Sequence, residues 1–219
     1  LIDRAATRAF SFDGRAMTGV AGDTIASALL ANGQTLVGRS FKYHRPRGIV
    51  ASGAEEPNGL VNLGAGGRLE PNQRVTTTML VDGMEMTSQN RWPSLAFDVG
   101  AINAHLSRLL PAGFYYKMFI HPRSFWKHVY EPFIRKSAGL GKAPQDRDPD
   151  KYEHVHAHCD LLVVGGGIAG LLAAKLAGEA GKRVLLIEQM PHWGGRAPVD
   201  GAVIDGQEAG AWVDATVAA

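Results

Sequence analysis

Three glycines, Gly165, Gly167 and Gly170, stand at G-x-G-x-x-G spacing, and an acid, Glu188, follows 18 residues after the last of them. That pattern suits the holding of a dinucleotide. By itself the spacing is weak; its context makes it strong. The apolar run Leu161–Val164 precedes it, a helical stretch from Ile168 to Ala180 follows, and a second apolar run, Val184–Ile187, leads into Glu188. Gly165 makes the tight turn, Gly167 lets a pyrophosphate approach bare backbone, and Gly170 lets helix and strand pack closely. The helix start at Ile168, Ala169 and Gly170 offers N–H groups and the positive end of a dipole. Glu188 is placed to accept from a ribose 2′-hydroxyl and to repel a 2′-phosphate, which disfavours NADP. NAD and FAD share adenosine and pyrophosphate, so both stay open.

A few residues further on, Gly194-Gly195-Arg196 resembles the second glycine pair of glutathione-reductase-like flavoproteins, and Gly195 and Arg196 join the candidate cofactor contacts. No convergent acid, base or nucleophile accompanies them, so no catalytic residue is assigned.

These residues need elements to position them. A continuous apolar strand at 161–164 fits a parallel sheet buried on both faces. A whole nucleotide-binding sheet has further parallel strands, and the chain, with its cut-looking ends, is read as a piece of a longer protein. Upstream, Asp13-Gly14 between strand-like runs predicts a hairpin. Asp23 or Thr24 predicts the cap of a helix over Ile25–Ala31, ended by Asn32-Gly33. Residues 36–80 are rich in glycine, proline and short strands, with a basic run from Arg39 to Arg47. Residues 91–133 hold ten of the seventeen aromatics, including Trp92, Phe114, Tyr115, Tyr116, Phe119 and Trp126, and two expected helices, near 100–109 and 123–136. So many rings in 43 residues favour an interface over a closed core. Residues 140–158 have the polar, proline-containing composition of a linker. The expected division is 1–90, 91–139 as a helical connector, 140–158 as linker, and 159–219 as the opening of a dinucleotide-binding domain.

Composition narrows the function. A net charge of +2 gives no support for bulk binding to nucleic acid or an anionic membrane. No apolar run reaches the roughly 18 residues of a spanning helix. The single cysteine, Cys159, excludes an intrachain disulfide framework and suits a reducing cytoplasm. His154, His156 and His158 alternate along an extended segment, so a metal site competes with a plain linker there; without a fourth ligand the linker is preferred. For Cys159 the preferred role is a small buried hydrophobe rather than a thiol nucleophile. Loop arginines bound within the protein are preferred to phosphate binders for the run Arg39–Arg47.

Several stretches carry a more specific likeness: Phe12-Asp13-Gly14-Arg15, Gly22-Asp23-Thr24, the run Gly38 to Gly48, Ser88 to Ser94, Pro111 to Lys117, and His158-Cys159-Asp160 ahead of the glycine loop. With them the chain resembles the N-terminal part of the alpha subunit of the heterotetrameric sarcosine oxidases. The resemblance implies an α+β β-grasp, ferredoxin-like domain followed by the first βαβ unit of an α/β Rossmann-like domain. It implies NAD in this subunit, FAD in a beta subunit, FMN between the two, gamma and delta partners, and a folate-binding domain further along. The implied activity is oxidation of sarcosine to glycine with peroxide formation and one-carbon transfer to tetrahydrofolate. A related FAD-dependent amino-acid or opine dehydrogenase subunit, or a purely structural nucleotide-binding scaffold, is the alternative.

Related dehydrogenase subunits carry a [2Fe–2S] cluster in the ferredoxin-like domain, on cysteines at C-x4-C-x2-C spacing. Alignment on Arg45-Pro46-Arg47-Gly48 places those ligand positions at Ala51, Glu56 and Gly59, with the fourth near Thr76. None is a cysteine, and no iron–sulfur cluster is expected.

Overall fold

The computed structural model describes residues 2–108, 113 and 119–219. The far end of the helix expected near 100–109, and the aromatic stretch 111–117 apart from Gly113, lie outside the described residues. The chain divides into two compact units, Leu1–Lys151 and Tyr152–Ala219.

The first unit begins with the hairpin of β1 (Asp3–Phe12) and β2 (Arg15–Ala21). Asp13 and Gly14 turn at φ +49° and +79°, the left-handed pair that matches the twist of a two-residue hairpin. Phe12 faces Arg15 across the closed end. Alternation along β1 sends Phe10 and Phe12 to one face, where Met17 of β2 joins them.

Helix α1 (Ile25–Ala31) starts where Thr24 Oγ1 accepts from the Ser27 N–H at 3.2 Å. It ends at Asn32, whose side chain donates to the Ala28 and Thr18 carbonyls, ahead of Gly33 at φ +71°. Two short pairs follow in the chain: β3 (Gly38–Arg39) with β4 (Pro46–Arg47), and then β5 (Leu60–Leu63) with β6 (Glu70–Arg74). Strand β7 (Met84–Ser88) inserts parallel to β1 and antiparallel to β5. The sheet order is β2-β1-β7-β5-β6, and Pro71 sits on the edge strand, where its missing N–H breaks no ladder.

The core between helix and sheet contains Ile25, Leu29, Val37, Val61, Val75 and Met86, with Phe10 and Phe12. Each fully buried large aliphatic side chain here contributes about 1.5–3 kcal/mol. A helix packed on a mixed sheet with a parallel central pair is the β-grasp arrangement.

Behind it, residues 90–100 are clamped to the β3–β4 loop. Arg39 donates to the Leu95 and Ala96 carbonyls, and Asn90 to the Arg39 and Ser40 carbonyls. The buried Asp98 carboxylate accepts from the Trp92 and Gly100 N–H groups and meets His44 Nδ1 at 2.6 Å. Part of the basic run is therefore loop architecture; Arg45 lies over the Tyr43 ring.

The helices read from the aromatic block are shorter than expected. Val99–Ala104 forms a 3-10 turn, and a π turn at Trp126–Tyr130 leads into α2 (Glu131–Ser137). Residues 140–158 carry no helix or strand, yet the first part is tied down: Gly141 N–H donates to Asn72 Oδ1 and Asp150 pairs with Arg68.

In the second unit, β8 (Leu161–Val164) pairs in parallel with β9 (Val184–Ile187) through helix α3 (Ile168–Glu179). A ribbon of β10 (Val203–Ile204) and β11 (Gln207–Glu208) precedes α4 (Ala209–Ala218). Burial on both faces was expected for β8, but Leu162 is 51 % and Val164 74 % exposed. A two-stranded sheet served by α3 leaves one edge and much of one face of each strand uncovered. Cys159 is half-buried rather than buried.

Candidate functional site

The glycine loop joins the end of β8 to the start of α3. Gly165 turns at φ +101°, and its N–H donates to the Ile187 carbonyl at 2.8 Å, which locks the loop to β9. A Cβ on Gly170 would strike the Gly165 carbonyl oxygen. Helix and loop therefore approach more closely than any side chain allows. Gly167, by contrast, faces open space where a Cβ would meet no protein atom. It is also the N-cap of α3, and no side chain caps that end. The N–H groups of Ile168, Ala169 and Gly170 fall in the first turn, which has no intrahelical acceptor for them. Bare backbone, N–H groups without an intrahelical acceptor and a positive dipole end meet at one place, as pyrophosphate binding requires.

Glu188 closes the other side. Its Oε2 accepts from the Gly166 N–H at 2.6 Å, and Oε1 from Gln189 and Met190 at 2.7 and 2.9 Å. These donors, Met190 and Gly166 foremost, with the positive potential of His192, hold the carboxyl below its ordinary range against the opposing effect of partial burial. It is ionised at neutral pH. A carboxylate has about four lone-pair sites, and three are taken, so room remains for a ribose hydroxyl. The bond to Gly166 also ties the acid to the phosphate loop.

Gly194 and Gly195 stack on this loop. Gly194 N–H donates to the Gly166 carbonyl at 2.7 Å, and a Cβ on Gly195 would lie 3.5 Å from the Gly167 Cα. The two have φ of +91° and +58°. The structure thus gathers Gly165, Gly167, Ile168, Ala169, Gly170, Glu188 and Gly195 into one place. Arg196 Nη2 lies 3.2 Å from Asp200 Oδ1, four residues on. Sequence reasoning missed Trp193, whose ring occupies the space a Cβ on Gly166 would need. Its only signal was an aromatic beside a glycine pair.

Among the described residues no group of three or more His, Cys, Asp or Glu could hold a metal ion, and His154, His156 and His158 are exposed on a segment without helix or strand. No helix among them is long and apolar enough to cross a membrane.

The positions aligned with cluster ligands do come together. Ala51 N–H donates to the Glu56 carboxylate, Gly59 N–H does the same, and Thr76 Oγ1 donates to the Gly53 carbonyl at 2.7 Å. A Cβ on Gly59 would collide with a Val75 methyl. These residues do not fit a [2Fe–2S] cluster. They supply no thiolate, and the Glu56 side chain, 1 % exposed, fills the middle of the loop.

Burial is the largest single influence on Glu56 and raises its pKa; the N–H groups of Asn58, Val50, Ala51 and Gly59 together outweigh it and hold the carboxyl below its ordinary range.

Residues 6–91 match the family described as a 2Fe-2S iron-sulfur cluster binding domain, and residues 163–207 match the NAD(P)-binding Rossmann-like domain. The crystal structure of L-proline dehydrogenase from P. horikoshii has a similar fold, with a TM-score of 0.51 at 17% identity over 99% of this chain and 32% of that one. The fold and site therefore define a ferredoxin-like domain followed in one chain by a Rossmann-like dinucleotide-binding unit.

More specifically, the chain is similar to proteins named sarcosine oxidase subunit alpha. It is 59% identical to the sarcosine oxidase subunit alpha of Rhizobium meliloti over 95% of its own length and 21% of that protein's. It is 37% identical to the subunit of the same name from Corynebacterium sp. strain P-1 over 99% of this chain and 18% of that one. The chain spans about a fifth of the length of these relatives.

Proposed function

We propose that this chain is part of the alpha subunit of a multi-subunit sarcosine oxidase and contributes its NAD site. The observation that carries the reading is the 59% identity to such a subunit, sustained over 95% of the chain. The complex would oxidise sarcosine to glycine, form hydrogen peroxide and hand the one-carbon unit to tetrahydrofolate. FAD and FMN would lie elsewhere in the complex, toward the beta subunit, with gamma and delta subunits completing it.

In this chain the N–H groups of Ile168, Ala169 and Gly170 would hold the pyrophosphate, with Gly165 and Gly167 clearing its approach. Glu188 would accept from the adenosine ribose, and Gly195 and Arg196 would border the nucleotide. No convergent acid, base or nucleophile accompanies this site among the described residues, and the part assigned to the chain is binding and scaffolding. FAD in place of NAD is the second reading, favoured by the stacking of Gly194 and Gly195 on the phosphate loop.

The test is to purify the complete complex, denature it and identify the released nucleotides by chromatography. One NAD per alpha subunit, lost when Gly167→Ala is introduced, is the expected result. FAD released from this site, or no nucleotide, would overturn the NAD reading. Failure of the intact complex to make glycine and peroxide from sarcosine would overturn the oxidase reading.

A further inference from the structure

The matched family is described by a cluster, and this chain lacks the ligands for one, yet the loop that would surround it closes on a single side chain. Four backbone N–H groups converge on the Glu56 carboxylate. Val50 and Ala51 donate to Oε2 at 2.7 Å each, and Asn58 and Gly59 to Oε1 at 2.7 and 3.1 Å. The donors come from both ends of the loop, so one anion ties residues 50–51 to residues 58–59.

Arg74 Nε donates to the Glu56 carbonyl, and Thr76 to that of Gly53, which fixes the backbone that carries the carboxylate. Successive N–H groups aimed at one point form an anion-binding concavity. A thiolate-held cluster likewise takes hydrogen bonds to its sulfurs. We propose that the loop is an anion-binding nest in which the Glu56 carboxylate, an internal anion, takes the structural place of the iron–sulfur cluster. The ferredoxin-like fold then keeps its loop without metal, and a small free carboxylate is the ligand the nest accepts when Glu56 is truncated.

The inference does not depend on which nucleotide or substrate the complex uses. It is tested by hydrogen–deuterium exchange on the assembled complex, read in overlapping peptides that cover residues 48–60. In the wild type the Val50, Ala51, Asn58 and Gly59 amides are expected to be protected. Glu56→Gln keeps the shape and removes the charge, and is expected to speed their exchange on the order of 10- to 100-fold, the equivalent of a lost hydrogen bond to a charged group. In Glu56→Ala, formate restores protection saturably, while neutral formamide does not and the wild type does not respond.

Wild-type amides that exchange like exposed backbone would overturn the proposal. So would a glutamine variant with unchanged protection, or equal rescue by formate and formamide, which would make the role one of shape. Should the alanine variant fail to accumulate, the wild-type and glutamine measurements decide it.

Discussion

Two loops in this chain are tied by a glutamate gripped by backbone N–H groups, and they use the same bonding to opposite ends. Around Glu56 the donors come from both sides of the loop and the carboxylate is buried. Every lone pair that faces the loop is used, and the loop is closed. Around Glu188 three donors leave an acceptor site, the adjoining Gly167 looks onto open space, and the helix N-terminus carries no cap. One carboxylate completes a structure; the other begins a binding site. The difference follows from surroundings. The Glu56 loop backs onto a finished core, while the Glu188 loop stands at the ends of two strands whose outer faces are bare.

The largest expected break in this contrast lies in the cores. Leu29→Ala, at a side chain with no exposure, should cost about 2–5 kcal/mol of stability. Leu162→Ala, at a half-exposed side chain in the same 219-residue chain, should cost under about 1 kcal/mol. Denaturant unfolding followed by far-ultraviolet circular dichroism measures both, and equal losses would mean that β8 is packed as tightly as the β-grasp core.

Next come the glycines. Gly170→Ala forces a Cβ into the Gly165 carbonyl, so it should destabilise the second unit by about 1–3 kcal/mol and weaken nucleotide binding with it. Gly167→Ala meets no protein atom, so the melting curve should stay put while nucleotide affinity falls. A Gly167→Ala protein that binds NAD normally would show that no ligand approaches there.

Glu188→Ala comes third. It should weaken adenine-nucleotide binding by about 1–3 kcal/mol, the cost of leaving a polar partner unmatched. Calorimetric titration of the complete subunit reads it, and an unchanged affinity would remove Glu188 from the ribose.

The smallest effect is the pH dependence of the Glu56 loop. Its carboxyl is held low in the folded state, so the stabilisation is complete above the ordinary glutamate range, about pH 4.3. It is lost as pH falls through the lower folded value. Acid unfolding of wild type against Glu56→Gln should show the steeper fall in the wild type, by at most one proton, and parallel curves would show that the carboxylate contributes nothing there.

Much of this was legible from the chain, because the relevant physics is local. Asp13-Gly14 tolerates left-handed angles and makes the hairpin; Thr24 offers an acceptor just where α1 begins. Gly165, Gly167 and Gly170 sit at the intervals a strand–loop–helix turn demands, with an acid at the end of the next strand. That Ala51, Glu56, Gly59 and Thr76 carry no sulfur is likewise plain from the chain, whatever the fold does.

Only tertiary structure decided what stood there instead. Glu56 reads in the sequence as one more acid. Its role depends on backbone donors two to six residues away, whose directions are set by pairing with distant segments such as Arg74 and Thr76. Likewise β7 slots beside β1 across more than seventy residues, Asp98 gathers His44 and the Trp92 and Gly100 amides, and Trp193 covers Gly166. Such contacts have no period and no spacing rule. The same limit applies to β8, whose apolar run predicted a buried strand. Side-chain pattern reports what a strand can bury, whereas its actual burial depends on which neighbours the fold lays against it.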